Sequence, residues 1–255
     1  MPTRRVVLRA LAALAYSVFP LGIQGQEAPW RDGAPDPSTI ESGKRLYRRK
    51  CVFCHGTHGG GDGSVSRYVF PRPRDLSMGW YKIRSTPTGG LPTDEDLFNT
   101  LSRGLPGTTM PAWSNLSAMQ RWQLVSYLKT FSDLFEDEVS LELQPITIGT
   151  PKPPYPESVA TGQRLFIEAQ CWDCHGMKGR GDGPSSHTLV DDWGYRIVPA
   201  DLTVSGNWRG GYRPEDVYRS IAVGIGGTPM PSFGDALTED QLWDLVNYLL
   251  WNIGG

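Results

Sequence analysis

The sequence reads CVFCHG at residues 51–56 and CWDCHG at residues 171–176. Each stretch sets two thiols three positions apart and puts an imidazole directly after the second. All four cysteines of the chain lie in these two stretches, so none is left for a separate disulfide. The copies are 120 positions apart. The same offset pairs GGGDG (59–63) with GRGDG (179–183), Gly104 with Gly224, Gly107 with Gly227, and Met110-Pro111 with Met230-Pro231. Shifted by one more residue, Leu116, Trp122, Val125, Tyr127 and Leu128 match Leu237, Trp243, Val246, Tyr248 and Leu249. A unit of about 100 residues therefore occurs twice, and the fold must be one that can be made in tandem.

The length of 255 residues has room for two modest domains or one large one. Hydrophobic residues make up 39% and charged residues 20%, which suits a globular chain rather than a disordered or membrane-filling one. Residues 1–26 have the layout of a secretory signal peptide: Arg4, Arg5 and Arg9, an apolar run from Ala10 to Ile23, then small and polar residues around Gly25. The alternative is an uncleaved membrane anchor, but the run is short for a span of about 20 residues and Pro20 interrupts it. The Arg4-Arg5 pair also has the look of a twin-arginine export signal. Between the repeats comes an acidic stretch, then Pro145, Pro151, Pro153, Pro154 and Pro156, which read as a stiff extended linker. The expected organisation is residues 31–132 as the first domain, 133–157 as an acidic, Pro-rich linker, and 158–255 as the second domain. Charge is uneven across these parts: 14 basic and 8 acidic residues in the first, 1 and 6 in the linker, 7 and 12 in the last.

Each repeat reads as mostly helical. Ser38-Thr39-Ile40-Glu41 has the form of a capping box and predicts a helix running into the first cysteine pair, with Leu46 and Tyr47 facing inward. Its counterpart runs from Gln163 to Gln170, with Leu165 and Phe166 inward. A middle helix is predicted over Asp94–Arg103 and over Pro214–Ala222, where proline suits the first turn. The last helix starts at two further capping boxes, Ser117 to Gln120 and Thr238 to Gln241, and its apolar residues recur at helical spacing. Glycine and proline are dense elsewhere, so long loops and few strands are expected. The fold class is all-α.

C-x-x-C-H is the attachment signature of c-type haem. Two thiols on one helical turn can add to the two vinyl groups on one edge of the porphyrin. The imidazole that follows then falls beneath the iron. Cys51, Cys54, Cys171 and Cys174 are the candidate attachment points, and His55 and His175 the candidate proximal ligands. Three other readings compete. Four cysteines can hold one zinc, but these pairs are far apart in the chain and zinc does not explain the histidines. A thioredoxin-like redox pair belongs near a βαβ pattern, which is missing. Two disulfides between neighbours are the third.

Haem iron has a second axial face. Met110 lies 55 residues after His55, and Met230 lies 55 after His175. The equality survives compensating length changes around a shared Pro-x-Asp-Leu landmark, Pro73–Leu76 and Pro199–Leu202. Gly63 is 12 before Asp75 whereas Gly183 is 18 before Asp201, and the following intervals, 35 from Asp75 to Met110 and 29 from Asp201 to Met230, restore the spacing. Met110 and Met230 are the candidate distal ligands; the bland alternative is core packing. Met78, Met119 and Met177 have no match in the other repeat and read as core or surface, and His58 and His187, likewise unmatched, read as plain loop histidines rather than haem ligands. The glycine runs 59–63 and 179–183 read as turns that carry the chain round the haem edge.

On these residues each unit resembles a class I cytochrome c domain: Gly-x-x-x-aromatic before CxxCH, a Met-Pro loop, and a last helix written LVSYL or LVNYL. The whole is similar to a tandem dihaem c-type cytochrome. The resemblance implies two covalently bound haem c groups, each wrapped by a few helices. It also implies a glycine–aromatic crossing of the first and last helices, Gly43 and Tyr47 on Tyr127, and Gly162 and Phe166 on Tyr248. The second copy has one extra residue between Gly162 and Cys171. Arg72, Arg74, Trp80, Arg84, Trp208 and Arg209 lie in loops that either reach the haem carboxylates or pack as ordinary loop residues. In this family haem is attached outside the cytoplasmic membrane, which implies a periplasmic location and an export route for unfolded chains.

The function expected on this basis is electron transfer between redox proteins of a respiratory chain, with different partners at the basic and acidic lobes and no nucleic-acid partner. The alternatives are a cytochrome subunit of a larger membrane oxidase or dehydrogenase complex, and a dihaem peroxidase-type enzyme, which needs an open iron position.

Overall fold

A computed structural model of the chain describes residues 28–30, 35–137 and 143–253. The expected export segment 1–26 and residues 138–142 of the expected linker lie outside the described residues. Among the described residues there are eight α-helices: α1 (Pro37–Lys50), α2 (Val52–His55), α3 (Asp94–Arg103), α4 (Ala118–Lys129), α5 (Pro156–Glu168), α6 (Cys171–His175), α7 (Pro214–Val223) and α8 (Glu239–Tyr248). The only β pairing among them is one bridge between Val190 and Arg196. None of these helices is long and apolar enough to cross a membrane.

Local chemistry sets most of the helix ends. Ser117 and Gln120 form the capping box of α4, and Thr238 and Gln241 that of α8. In α3 the pair is Thr93 and Asp96, and the Asp96 carboxylate also accepts from the amide and hydroxyl of Ser85. Two starts differ from those expected. Helix α1 is capped by Asp36, whose carboxylate takes the Ser38 and Thr39 amides and both their hydroxyls. One ionised group satisfying two orphan N–H donors outcompetes the serine cap at Ser38. Helix α5 begins at Pro156 rather than Gln163, with the ring at N1. Its extra turns bury Ser158 and Gly162, small residues that give no hydropathy signal.

Two hydrophobic clusters form, one per repeat. In the first, α1 crosses α4, Tyr47 is fully buried, and its ring meets Tyr127 at 5.4 Å and Phe131 at 5.0 Å. In the second, α5 crosses α8, and Phe166 meets Tyr248 at 5.5 Å. The middle helices lock on through matched aromatic pairs, Phe98 with Trp122 at 4.3 Å and Tyr218 with Trp243 at 4.7 Å. The extra residue of the second copy is absorbed by Gln170, which takes a left-handed conformation at φ 56 just before α6.

The two lobes touch where the repeats differ in length. Trp80 lies in the interval that is six residues longer in the first lobe, and Trp193 in the one that is six longer in the second. Their rings meet edge to face at 6.1 Å. Arg74 lies over the Trp193 ring at 4.3 Å, and Arg72 over that of Tyr195 at 4.5 Å. Arg103 pairs with Asp216 across the same seam at 3.2 Å. Part of the charge imbalance between the repeats is thus used inside the molecule.

Candidate functional site

The hydrogen-bond pattern around each cysteine motif is written twice. Helices α2 and α6 end at Gly56 and Gly176, both at φ 75, a left-handed turn that glycine adopts without strain. The glycine run then folds back under the motif. Gly61 and Gly181 donate to the carbonyls of His55 and His175 at 3.0 and 2.8 Å, and Gly63 and Gly183 to those of Cys54 and Cys174 at 3.2 and 3.1 Å. Leu76 and Leu202, from the Pro-x-Asp-Leu landmarks, donate to Gly59 and Gly179 at 2.7 and 2.6 Å. These bonds bring the residue before each landmark aspartate to the histidine ring.

That residue's carbonyl orients the imidazole. His175 Nδ1 lies 3.1 Å from the Ala200 carbonyl, which favours a proton on Nδ1 and leaves Nε2 free to bind a metal. The Arg74 carbonyl holds the same place for His55 and favours its charged form, although Nδ1 makes no hydrogen bond of good geometry. Burial is the larger influence and lowers the pKa of both rings, so both are neutral at neutral pH. A metal-ligating histidine must be neutral.

Each motif lines a cavity. The first cavity is lined by Cys51, Cys54, His55 and Met110, the second by Cys171, Cys174, His175 and Met230. All eight residues singled out in the sequence are therefore gathered into two sets of four. The two cysteine pairs line different cavities, which removes the single zinc site as a reading, and the four thiols are free. Burial raises the Cys51 thiol to about 12 and the Cys171 thiol to about 11. Each methionine sits at the end of a short arm closed by a threonine. The Met110 amide donates to Thr108 Oγ1 at 3.1 Å and the Met230 amide to Thr228 Oγ1 at 3.3 Å. The offset of 120 pairs these threonines, so the signal for them was in the repeat.

Among the loop residues, Arg72 and Arg74 line the first cavity and Trp208 and Arg209 the second. Trp80 and Arg84 line neither: Trp80 packs at the seam, and Arg84 donates across it to the Val223 carbonyl at 2.6 Å. Tyr81, Lys82 and Trp113, which the sequence did not single out, line the first cavity. Exposed Met78, Met119 and Met177 fit a surface role.

Sequence families match both halves. The cytochrome c family matches residues 159–252, and the family described as cytochrome c oxidase, cbb3-type, subunit III matches residues 38–128. A chain of the reducing HAO-like protein complex of Kuenenia stuttgartiensis is 43% identical, covers 84% of this chain and 96% of its own length, and superposes with a TM-score of 0.79. The chain belongs to the tandem c-type cytochromes. The cytochrome is also 29% identical over 101 residues to the cbb3-type cytochrome c oxidase subunit FixP of Sinorhizobium medicae, and 37% identical over 70 residues to the thiosulfate dehydrogenase of Stutzerimonas stutzeri. Those matches cover 36% and 26% of the cytochrome, and it spans 29% and 23% of the two relatives' lengths.

Cytochrome c domains carry covalently bound haem c and transfer electrons. The cavities fit that group on their own chemistry. Tyr81 Oη and Trp113 Nε1 in the first cavity, and Arg209 Nε in the second, are buried donors without a protein partner. Orphaned buried donors are costly, and the two carboxylates of a haem are acceptors of the kind they lack.

Proposed function

We propose that the cytochrome holds two haem c groups, one per lobe, and relays single electrons between redox proteins. Cys51 and Cys54 anchor the first group and Cys171 and Cys174 the second. His55 and Met110 take the two faces of the first iron, and His175 and Met230 those of the second. The observation that carries this is the composition of the two cavities: two cysteines, a histidine and a methionine, in the same chain order, meet in each. When bound, haem c supplies a one-electron change at its iron. The chain would hold the group in a largely apolar cavity and offer it an imidazole and a thioether, which would leave the iron little room for peroxide or another substrate. A thioether ligand favours the reduced state and raises the potential. Residues 1–26 direct export to the periplasm, where haem is attached, and the basic and acidic surfaces of the two lobes dock different partners.

The HAO-like neighbour is part of a protein complex, and FixP is an oxidase subunit. Both support a second form of the same reading, in which the cytochrome is a lasting subunit of a larger redox complex. Purification of the native protein separates the two forms by whether a partner co-migrates.

The ligand reading is tested on purified, exported protein. It should contain two haems per chain and show the weak near-infrared sulfur-to-iron band, of which Met110→Ala and Met230→Ala each remove half. A colourless product, or an unchanged band in both variants, overturns it.

A further inference from the structure

The arm that carries Met230 leaves α7 at Gly224 and closes on itself. The Ile225 amide donates to the Met230 carbonyl at 3.2 Å, and the Thr228 amide to the Ile225 carbonyl at 3.2 Å. Gly224, at φ 70, lies so near the arm's far end that a Cβ on it would stand 2.7 Å from Pro231 C and 2.8 Å from the Met230 carbonyl oxygen. Carbonyls at the root of this arm and along it are taken by the other lobe, and that of Gly227 also accepts from the Asp192 amide of its own lobe at 3.4 Å. Arg84 Nη2 donates to Val223 at 2.6 Å, Arg74 Nη2 to Gly226 at 3.0 Å and Arg74 Nη1 to Gly227 at 3.1 Å. In return the Gly226 amide donates to the Lys82 carbonyl at 3.1 Å. Both arginines are buried, 8% and 6% exposed, and hydrogen bonds from a charged donor in such a place are the strong kind.

The matching arm of the first lobe has the same internal bonds, Leu105 to Met110 and Thr108 to Leu105, each at 3.1 Å. At the position of Gly226 it has Pro106, which carries no N–H and cannot repeat the bond to a neighbour's carbonyl.

We infer that Arg74 and Arg84 of the first lobe are positioning residues for the second iron site, bracing the arm that presents the Met230 thioether to the cavity of His175. The inference rests on the Met230 ligand reading above. A thioether is a weak ligand, so its hold on the metal depends on how firmly its backbone is kept in place. Every residue lining the second cavity belongs to the second lobe, so the first lobe acts on this site through the backbone it braces.

The test uses intact haem-loaded protein and two readouts, the sulfur-to-iron band and the affinity of each haem for added imidazole. Arg84→Met should let imidazole bind one haem about tenfold more tightly than in the parent. The band should fall toward the half that remains in Met230→Ala. Arg84→Lys, which restores one charged donor, should lie between variant and parent. Arg84→Met placed on Met230→Ala should change the band no further. If Arg84→Met fails to fold, Arg74→Gln and Arg84→Lys carry the same test. Parental band and imidazole affinity in both Arg84→Lys and Arg74→Gln, with Met230→Ala still removing half the band, overturn the brace alone. A full band in Met230→Ala overturns the ligand reading and the brace with it.

Discussion

Gly43 lies against the backbone of Gln123 so closely that a Cβ on it would strike the Gln123 carbonyl, and it would stand 2.9 Å from Tyr127 Cβ. Gly162 meets Asp244 in the same way in the second lobe, with Tyr248 Cβ at 2.7 Å from the added atom. In both lobes the obstacle is helix backbone, which cannot rotate aside. Gly43→Ala and Gly162→Ala should each destabilise their own lobe by about 1–3 kcal/mol through overpacking. Urea unfolding followed by far-ultraviolet circular dichroism measures this. Unchanged midpoints in both variants would mean that the helix crossings are looser than the structure has them.

Asp244 does a second job on α8. Its side chain is only 8% exposed, and it accepts from Lys152 Nζ at 2.7 Å and from the Ser158 hydroxyl. Asn247 Nδ2 adds bonds to the carbonyls of Lys152 and Pro153 and to Ser158 Oγ. This network pins the proline segment and the start of α5 to α8. Asp244→Ala leaves a partly exposed lysine charge and a buried hydroxyl unanswered. It should cost about 1–3 kcal/mol, expressed in the second lobe, with Lys152→Met on the same background recovering part of the loss. Equal stability of Asp244→Ala and parent would show that water replaces the carboxylate.

Features fixed by neighbouring residues were legible in the sequence. The capping boxes at Ser117 and Thr238, the extent of α3, and the grouping of Cys51, Cys54, His55 and Met110 all rest on short-range chemistry or on spacing that the second repeat checks. Asp36 was overlooked because Ser38 and Glu41 also spell a cap, and only the relative reach of the side chains decides between them. The start of α5 was hidden because its buried face is Ser158 and Gly162. Lys82, Tyr81 and the seam were out of reach for a different reason. They lie in or against the intervals whose lengths differ between the repeats, so no internal comparison flags them. The compensating length changes around the Pro-x-Asp-Leu landmarks do more than restore the methionine spacing, because the longer stretches of the two lobes are the ones that meet through Trp80 and Trp193.

Asp216 accepts from Arg103 of the other lobe at 3.2 Å and from Arg219 at 2.9 Å, with 8% of its side chain exposed. Arg219 also holds the Gly210 carbonyl at 2.8 Å. Removing the carboxylate leaves two guanidinium groups facing each other, whereas removing Arg103, which is 31% exposed, leaves the Asp216–Arg219 pair intact. Asp216→Asn should therefore cost about 3 kcal/mol and Arg103→Ala about 1 kcal/mol or less. A double-mutant cycle in low and high salt measures the coupling across the seam, which should shrink with salt. A larger loss from Arg103→Ala than from Asp216→Asn would contradict this ordering.

Lys82 lines the first cavity, and no carboxylate lies within ion-pair distance of its ammonium among the described residues. Burial first, then Arg74 and Arg209, lower its pKa to about 7, with Asp191 pulling weakly the other way. Haem carboxylates near the ammonium would raise that value and the porphyrin filling the cavity would lower it by further burial, so the proton would leave within the range from pH 6 to pH 10. A positive charge beside the cavity favours the reduced state of the iron, which carries one more electron. The potential of the first haem should thus be level below that transition, where Lys82 is charged in both redox states, and fall as the pH rises and the proton leaves. Lys82→Met removes the charge at every pH. It should lower that potential at pH 6 and flatten its fall at higher pH, while the second haem changes less. Redox titrations of parent and variant from pH 6 to pH 10 check this. A variant that keeps both the parent's potential at pH 6 and its slope would place the ammonium too far from the first haem to be felt.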